Sequence, residues 1–137
     1  MKIVLDENAY MPERAHPTDA GLDLRTPDAV KIWGGDSVTI DTGVHIELPP
    51  GTYAKLESKS GLNVKHGIVS CGGVIDEGYT GSISVKLYNL SNRAYEFLPG
   101  DKISQMIVQP YLVPELELAD SLQETDRGTG AFGSTGR

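Results

Sequence analysis

Apolar and polar residues alternate along this chain in short runs separated by turn residues. Val38 and Ile40 share one face of Ser37–Asp41. Val44, Ile46 and Leu48 share one face of Val44–Leu48, with His45 and Glu47 on the other. Ile83, Val85 and Leu87 lie opposite Ser84 and Lys86 in Ser82–Tyr88. A period of two is the mark of a half-buried strand. Further strands are predicted at Lys2–Leu5, Tyr53–Glu57, Gly67–Ser70, Tyr95–Leu98 and Ile103–Gln109, with a last candidate at Leu116–Leu118. Pro49-Pro50-Gly51 and Pro99-Gly100-Asp101 read as turns. Pro110 ends the long strand or places its end at a sheet edge. Only Ser60–His66 carries a helical pattern. Many short strands with turn signals between them predict an all-β sandwich, barrel or jelly roll.

Composition narrows the picture. The 137 residues fit one domain. A net charge of −7 argues against non-specific nucleic-acid binding, which needs lysine and arginine against phosphates. It leaves room for a small anion held by a few local donors or a metal ion. The single cysteine, Cys71, has no partner for an intrachain bridge, which points to a reducing compartment such as the cytoplasm. No signal-peptide pattern follows Met1, and no apolar run approaches the roughly 18 residues that span a bilayer. His16, His45 and His66 lack zinc-ligand spacing. Cys71 reads as a small apolar residue and Trp33 as packing at a turn. From Thr125 onward glycines and hydroxyls leave little to bury, so residues 125–137 read as a flexible arm on a domain of residues 1–124.

Five segments carry candidate chemistry. Ala20-Gly21-Leu22-Asp23-Leu24 sets one acid among apolar residues, a frequent turn or cap pattern. Ser58-Lys59-Ser60-Gly61-Leu62 places a cation, a hydroxyl and a glycine before the helix, as an anion site or a plain N-cap. Gly73–Gly81 holds Asp76 and Tyr79 in a glycine-rich hairpin. Gly100–Gln105 is a turn entering a strand. Arg127–Gly136 joins one arginine, one aromatic ring and hydroxyls among glycines.

In this order the five segments resemble the five motifs of the trimeric deoxyuridine triphosphatases (dUTPases). The resemblance spans nearly the whole chain. It implies a β-clip fold, a distorted jelly-roll barrel with one short helix and a flexible C-terminal arm. It also implies a homotrimer with shared active sites and hydrolysis of dUTP to dUMP and pyrophosphate with Mg²⁺. Asp76 matches the general base and Gln105 a holder of water and phosphate. Asp23 matches the acid that supports Mg²⁺ through water. Lys59, Ser60 and Gly61 match the phosphate-binding segment. Gly72, Gly73, Val74 and Ile75 match the uracil-reading loop, with Lys86 on the strand beyond it. Tyr79 matches the ring that lies against the deoxyribose and excludes a 2′-hydroxyl. Phe132 and Gly133 match the lid over the base, and Arg127, Ser134 and Thr135 its γ-phosphate contacts.

The chain departs from the commonest pattern at Lys59 and Lys102, where arginine is frequent, and at Ala131, where glycine is. A lysine retains the charge without the bidentate fork. Two other readings stand beside this one. A dCTP deaminase shares the fold, but its arginine- and serine-rich second motif is absent around Lys59–Leu62. A nucleotide-gated regulatory binding protein would use the same trimer.

Overall fold

The computed structural model describes residues 1–131. The strands are β1 (Lys2–Leu5), β2 (Leu22–Arg25), β3 (Val30–Ile32), β4 (Ser37–Asp41), β5 (Val44–Glu47), β6 (Thr52–Glu57), β7 (Ile68–Cys71), β8 (Val74–Ile75), β9 (Ser84–Asn89), β10 (Tyr95–Phe97) and β11 (Lys102–Pro110). One helix, α1 (Ser60–His66), separates β6 from β7. All strand pairs are antiparallel. A four-stranded sheet runs β2-β11-β6-β8 and a three-stranded sheet runs β4-β9-β7, with β1-β5 and β10-β3 as two-stranded ribbons. The fold is all-β, as the alternation predicts.

The predicted inward faces are the observed ones. Ile40, Val44, Ile46, Ile83, Val85 and Leu87 are buried with Leu24, Leu56, Phe97 and Met106 in one core shared by both sheets. Each such side chain contributes about 1.5–3 kcal/mol. Asp23 lies inside β2, where the sequence suggested a turn or cap. Its N–H and the Glu13 carbonyl form a 2.8 Å bridge, and its residue pairs with Gln105. Strand β3, with only three residues, carried too little pattern to be predicted.

Several smaller expectations are corrected. Leu116–Leu118 forms no strand; Leu116 and Leu118 are 96% and 101% exposed, with no strand beside them to accept their backbone groups. Trp33, read as packing at a turn, is 59% exposed and holds the Lys31 ammonium 4.3 Å above its ring. Cys71, read as a small apolar residue, is exposed. Among the described residues no helix is long and apolar enough to cross a membrane.

Candidate functional site

One cluster of candidate residues forms where β2, β11 and the start of α1 meet. A bulge sets it up. Lys102 pairs with Arg25, but the next pair is Ser104 with Leu24, so Ile103 is extra. Both Ile103 and Ser104 therefore turn into the core. Lys102 and Gln105, three residues apart, come to share the face of Asp23, the kind of redirection a bulge provides. Asp23 is 4% exposed. One carboxylate oxygen pairs with Lys59 and the other with Lys102, the latter at 2.6 Å. Burial alone raises the Asp23 carboxyl, but hydrogen bonds from Lys102 and Lys59, with their charges, outweigh it and hold the group below the ordinary carboxylate value.

Lys59 is itself the N-cap of α1, with extended backbone and no side-chain cap bond. The preceding Ser58 does not cap the helix either; its hydroxyl accepts a 2.8 Å bond from the Ser70 N–H and ties β6 to β7. The first turn of α1 contains no acid, and Ser60 and Gly61 are exposed there. The Gln105 amide donates to the Ser58 carbonyl at 3.2 Å. The cluster thus offers two cations, one fixed carboxylate and a carboxamide around an open helix start.

A second cluster forms at the β7–β8 connection. Gly72 and Gly73 have φ of 73° and 111°, backbone that side chains rarely adopt. A Cβ on Gly73 would stand 2.6 Å from the Leu56 Cβ, so only glycine lets the hairpin lie on β6. The Leu56 N–H then donates to the Gly73 carbonyl at 2.8 Å. Beyond this seam Val74 and Ile75 pair with Lys55 and Ala54. A turn follows, closed by a 3.0 Å bond from the Tyr79 N–H to the Asp76 carbonyl. The Tyr79 ring folds back over Gly81, and its hydroxyl donates to the Ser82 carbonyl at 2.9 Å.

These residues enclose a cavity of about 250 Å³ lined by Leu56, Gly73, Val74, Ile75, Asp76 and Tyr79, with Ile83 and Ser84 at its back. Asp76 is the only ionisable acid or base in that lining apart from the Tyr79 phenol. Asp76 also lines a second hollow of about 480 Å³ with Tyr53, Glu77 and Tyr111. Glu77, which sequence reasoning passed over, accepts from the Gly51 N–H at 2.8 Å and the Tyr111 hydroxyl at 3.1 Å. It anchors the hairpin to the Pro49–Gly51 turn and to the point where the chain leaves β11. Lys86 sits on β9 opposite Cys71, with its ammonium 5.5 Å above the Tyr88 ring.

The two clusters do not meet within one chain. Ile75, just before Asp76, pairs with Ala54, whereas Gln105 pairs with Glu57 and reaches on to Ser58. These points are three to four residues apart along the chain at β6, roughly 10–13 Å of strand. A single water cannot touch both side chains across that gap. Arg127 is local in its contacts; its Nε donates to the Gly130 carbonyl at 3.2 Å. Phe132, Gly133, Ser134 and Thr135 lie outside the described residues. Among the described residues no group of three or more His, Cys, Asp or Glu is arranged to hold a metal ion.

Known proteins place the chain. A family model described as dUTPase matches residues 7–136. A deoxyuridine 5′-triphosphate nucleotidohydrolase of Crocosphaera subtropica is 42% identical over 136 residues, which cover 98% of this chain and 96% of the relative. The enzyme of that name from Clostridium acetobutylicum is 42% identical over 134 residues, 96% of this chain and 92% of the relative. Among solved structures, a Staphylococcus bacteriophage 80alpha dUTPase with dUpNHpp superimposes with a TM-score of 0.93 at 28% identity, over 99% of this chain and 98% of that one. A mutant dUTPase from phage phi11 of S. aureus, described with a structural Mg(II) ion, gives 0.82 at 28% identity, over 88% and 96%.

Proposed function

The chain belongs to the dUTPase family, and we propose that it works as a homotrimer whose active sites are each assembled from more than one chain. It hydrolyses dUTP to dUMP and pyrophosphate. The observation that supports shared sites is the separation of Asp76 from Gln105, Lys59 and Lys102 along β6. Hydrolysis needs a water activated at the α-phosphorus and cations on the phosphates at once. One chain supplies these in two places, so a second chain brings its charged cluster to the first chain's hairpin. The stretch after β11 fits such an assembly. Leu112, Val113, Leu116, Leu118 and Leu122 are 81–101% exposed, apolar area that a neighbouring subunit would cover.

In this reading the hairpin cavity receives deoxyuridine. Backbone N–H and C=O groups of Gly72–Ile75 read the uracil edge. A tight pocket rejects the thymine methyl, and a cytosine amino group meets the wrong partner; an unpaired buried polar group is costly. The Tyr79 ring lies against the deoxyribose and collides with a 2′-hydroxyl. Asp76 accepts the proton of a water as its oxygen attacks the α-phosphorus, and pyrophosphate leaves with the electrons of the broken P–O bond. General-base help of this kind contributes about 10²–10⁴-fold. Lys59, Lys102, Ser60 and the open amides at Gly61 face the phosphates, and Gln105 orients water beside them. Lys86 stands behind the uracil loop as a further substrate contact.

Mg²⁺ would be held mainly by substrate phosphates and waters, with Asp23 behind a metal-bound water, and would supply charge neutralisation there. The donors present fit that mode: among the described residues no cluster of acids, histidines or cysteines offers a direct cage. Asp23 uses one lone pair of each oxygen on a lysine and keeps others for a metal-bound water. Residues 125–137 act as the lid, with Phe132 and Gly133 over the base and Arg127, Ser134 and Thr135 at the terminal phosphate. Closure excludes water from the site. The exposed, unpaired Cys71 suits a reducing cytoplasm.

Mixing inactive chains tests the shared site. Asp76→Asn and Gln105→Ala chains are each expected to release almost no pyrophosphate. Unfolded together and reassembled at equal ratio, they regain about a quarter of the wild-type rate by random assembly of a cyclic trimer. A mixture as inactive as its components would show that each site is built from one chain.

A further inference from the structure

His45 stands outside both clusters, yet it holds the segment that carries Tyr79. It projects from the outer face of β5, opposite Val4 of β1. Its Nδ1 lies 2.9 Å from the Thr80 carbonyl and its Nε2 3.3 Å from an Asp6 carboxylate oxygen. Thr80 follows Tyr79 directly. The rest of the Tyr79–Ile83 segment is tied to the same corner of the molecule. The Ser82 hydroxyl donates to Asp41, the Thr42 hydroxyl donates to the Ile83 carbonyl at 2.7 Å, and the Thr42 N–H donates to it at 3.0 Å. Tyr79 in turn donates to the Ser82 carbonyl. The β4–β5 corner is thus a template for the loop, and His45 makes its contact nearest Tyr79 in sequence.

We propose that His45 is a positioning residue for sugar discrimination: by holding the Thr80 carbonyl it fixes the Tyr79 ring at the height that excludes a 2′-hydroxyl. The inference rests on the reading of Tyr79 as the sugar gate. A steric gate works only if its wall cannot retreat. The Tyr79 ring is 47% exposed, so packing alone does not hold it. Freed at Thr80, the loop swings away from β5 and admits the ribo-nucleotide.

The chemistry of the two contacts adds a titration. Both partners of the ring, a carbonyl and a carboxylate, are acceptors. Only the imidazolium has an N–H for each; a neutral ring has one, which the charged Asp6 carboxylate keeps as the stronger acceptor, so a lone pair turns toward the Thr80 carbonyl. The Thr80 carbonyl first and Asp6 second raise the His45 value above its ordinary 6.5, with a further contribution from Asp41. The remaining charges on this face, Lys2 and Glu47, neutralise one another at 3.0 Å. The folded value is raised, so the double clasp is complete below 6.5 and is lost as pH rises through the folded value.

The experiment measures kcat/KM for dUTP and UTP across that pH range in wild type, Tyr79→Ala, His45→Ala and His45→Asn. The asparagine amide nitrogen falls near the Nδ1 position, so it restores the bond to Thr80 without titrating. Loss of one such bond is worth roughly three- to tenfold. His45→Ala is therefore expected to lower the dUTP/UTP ratio by that factor, and His45→Asn to recover it. The wild-type ratio declines with rising pH, while that of His45→Asn stays level. If Tyr79→Ala leaves the ratio unchanged, the sugar-gate reading itself fails. If Tyr79→Ala relaxes it but His45→Ala does not, or His45→Asn does not rescue it, His45 has no positioning role. Melting temperatures of the variants separate a folding defect from loosened discrimination, since a general loss of fold lowers both substrates alike.

Discussion

The hairpin cavity and the lysine cluster solve opposite problems with opposite materials. The hairpin presents main chain. Its two adjacent glycines have positive φ, its floor is Leu56, and its one acid, Asp76, stands at the rim of an otherwise uncharged lining. The lysine cluster presents side chains. Its carboxylate is buried, both of its oxygens are engaged by ammonium groups, and its geometry comes from a bulge in β11. Reading a flat base calls for donors and acceptors fixed to better than a hydrogen-bond length, which backbone supplies at no rotamer entropy. Binding a flexible triphosphate calls for charge, which long side chains deliver once a buried anion sets their reach. Separating the two within the chain leaves each rigid, and in the shared-site reading assembly is the step that completes the catalyst.

The sharpest way to break this division is at the single charge in the hairpin. Asp76→Asn is expected to lower turnover by about 10²–10⁴-fold while dUTP still binds, because its recognition is by main chain. Pyrophosphate release and calorimetric titration measure the two effects; turnover near wild type would remove Asp76 from the chemistry. Next in size is deletion of residues 125–137. Activity is expected to fall by roughly two orders of magnitude, as positioning losses do. The melting temperature stays close to wild type, since residues 125–129, in the described part of the arm, are exposed. A large drop in melting temperature would make the arm a structural element instead.

Legibility in the sequence follows the same division. Strands with strict alternation, such as Ser37–Asp41 and Val44–Glu47, were readable because one residue of slip moves the whole apolar set to water. The helix Ser60–His66 was readable for its bounds, though its cap was not: the segment Ser58–Leu62 read as an anion site or a plain N-cap, whereas Lys59 is the N-cap with no side-chain cap bond and Ser58 bonds to β7. Asp76 and Tyr79 stood out because glycines flank them. Asp23 did not reveal its setting, since nothing local says that Lys59 and Lys102, 36 and 79 positions away, will close on it. That depends on a bulge, which alternation cannot foresee. Glu77 and His45 were missed for a related reason. Their roles lie in bonds to main-chain atoms of distant segments, and no residue type marks the far end of such a bond.

A milder intervention asks whether the hairpin depends on backbone shape. Gly73→Ala adds one methyl where φ is 111° and Leu56 is already in the way. The strain is expected to lower stability by about 1–3 kcal/mol, read by urea unfolding. KM for dUTP should rise more than kcat falls, because Asp76 is attached beyond the altered seam. Equal losses in both would mean that the seam also sets the position of the base.

The smallest expected effect lies in the lysine cluster, and it sharpens the comparison through pH. Asp23→Asn keeps the shape but turns an amide N–H₂ toward one ammonium, so one lysine loses its acceptor. The expected loss at neutral pH is about 1–2 kcal/mol, moderate because both ammonium groups keep access to water. The sign of the pH dependence follows from the depressed carboxyl. Its contribution is present above the unfolded value, near 3.8, and is lost as pH falls through the lower folded value. The gap in unfolding free energy between wild type and variant should therefore be constant at neutral pH and close as the solution is acidified past 3.8. Asp41 is depressed as well, by the Ser82 hydroxyl and the Gly43 N–H, but it is present in both proteins and cancels in the difference. A gap that stayed open in acid would mean that the loss comes from the amide N–H₂ facing an ammonium, and that the lysines find their places without the Asp23 charge.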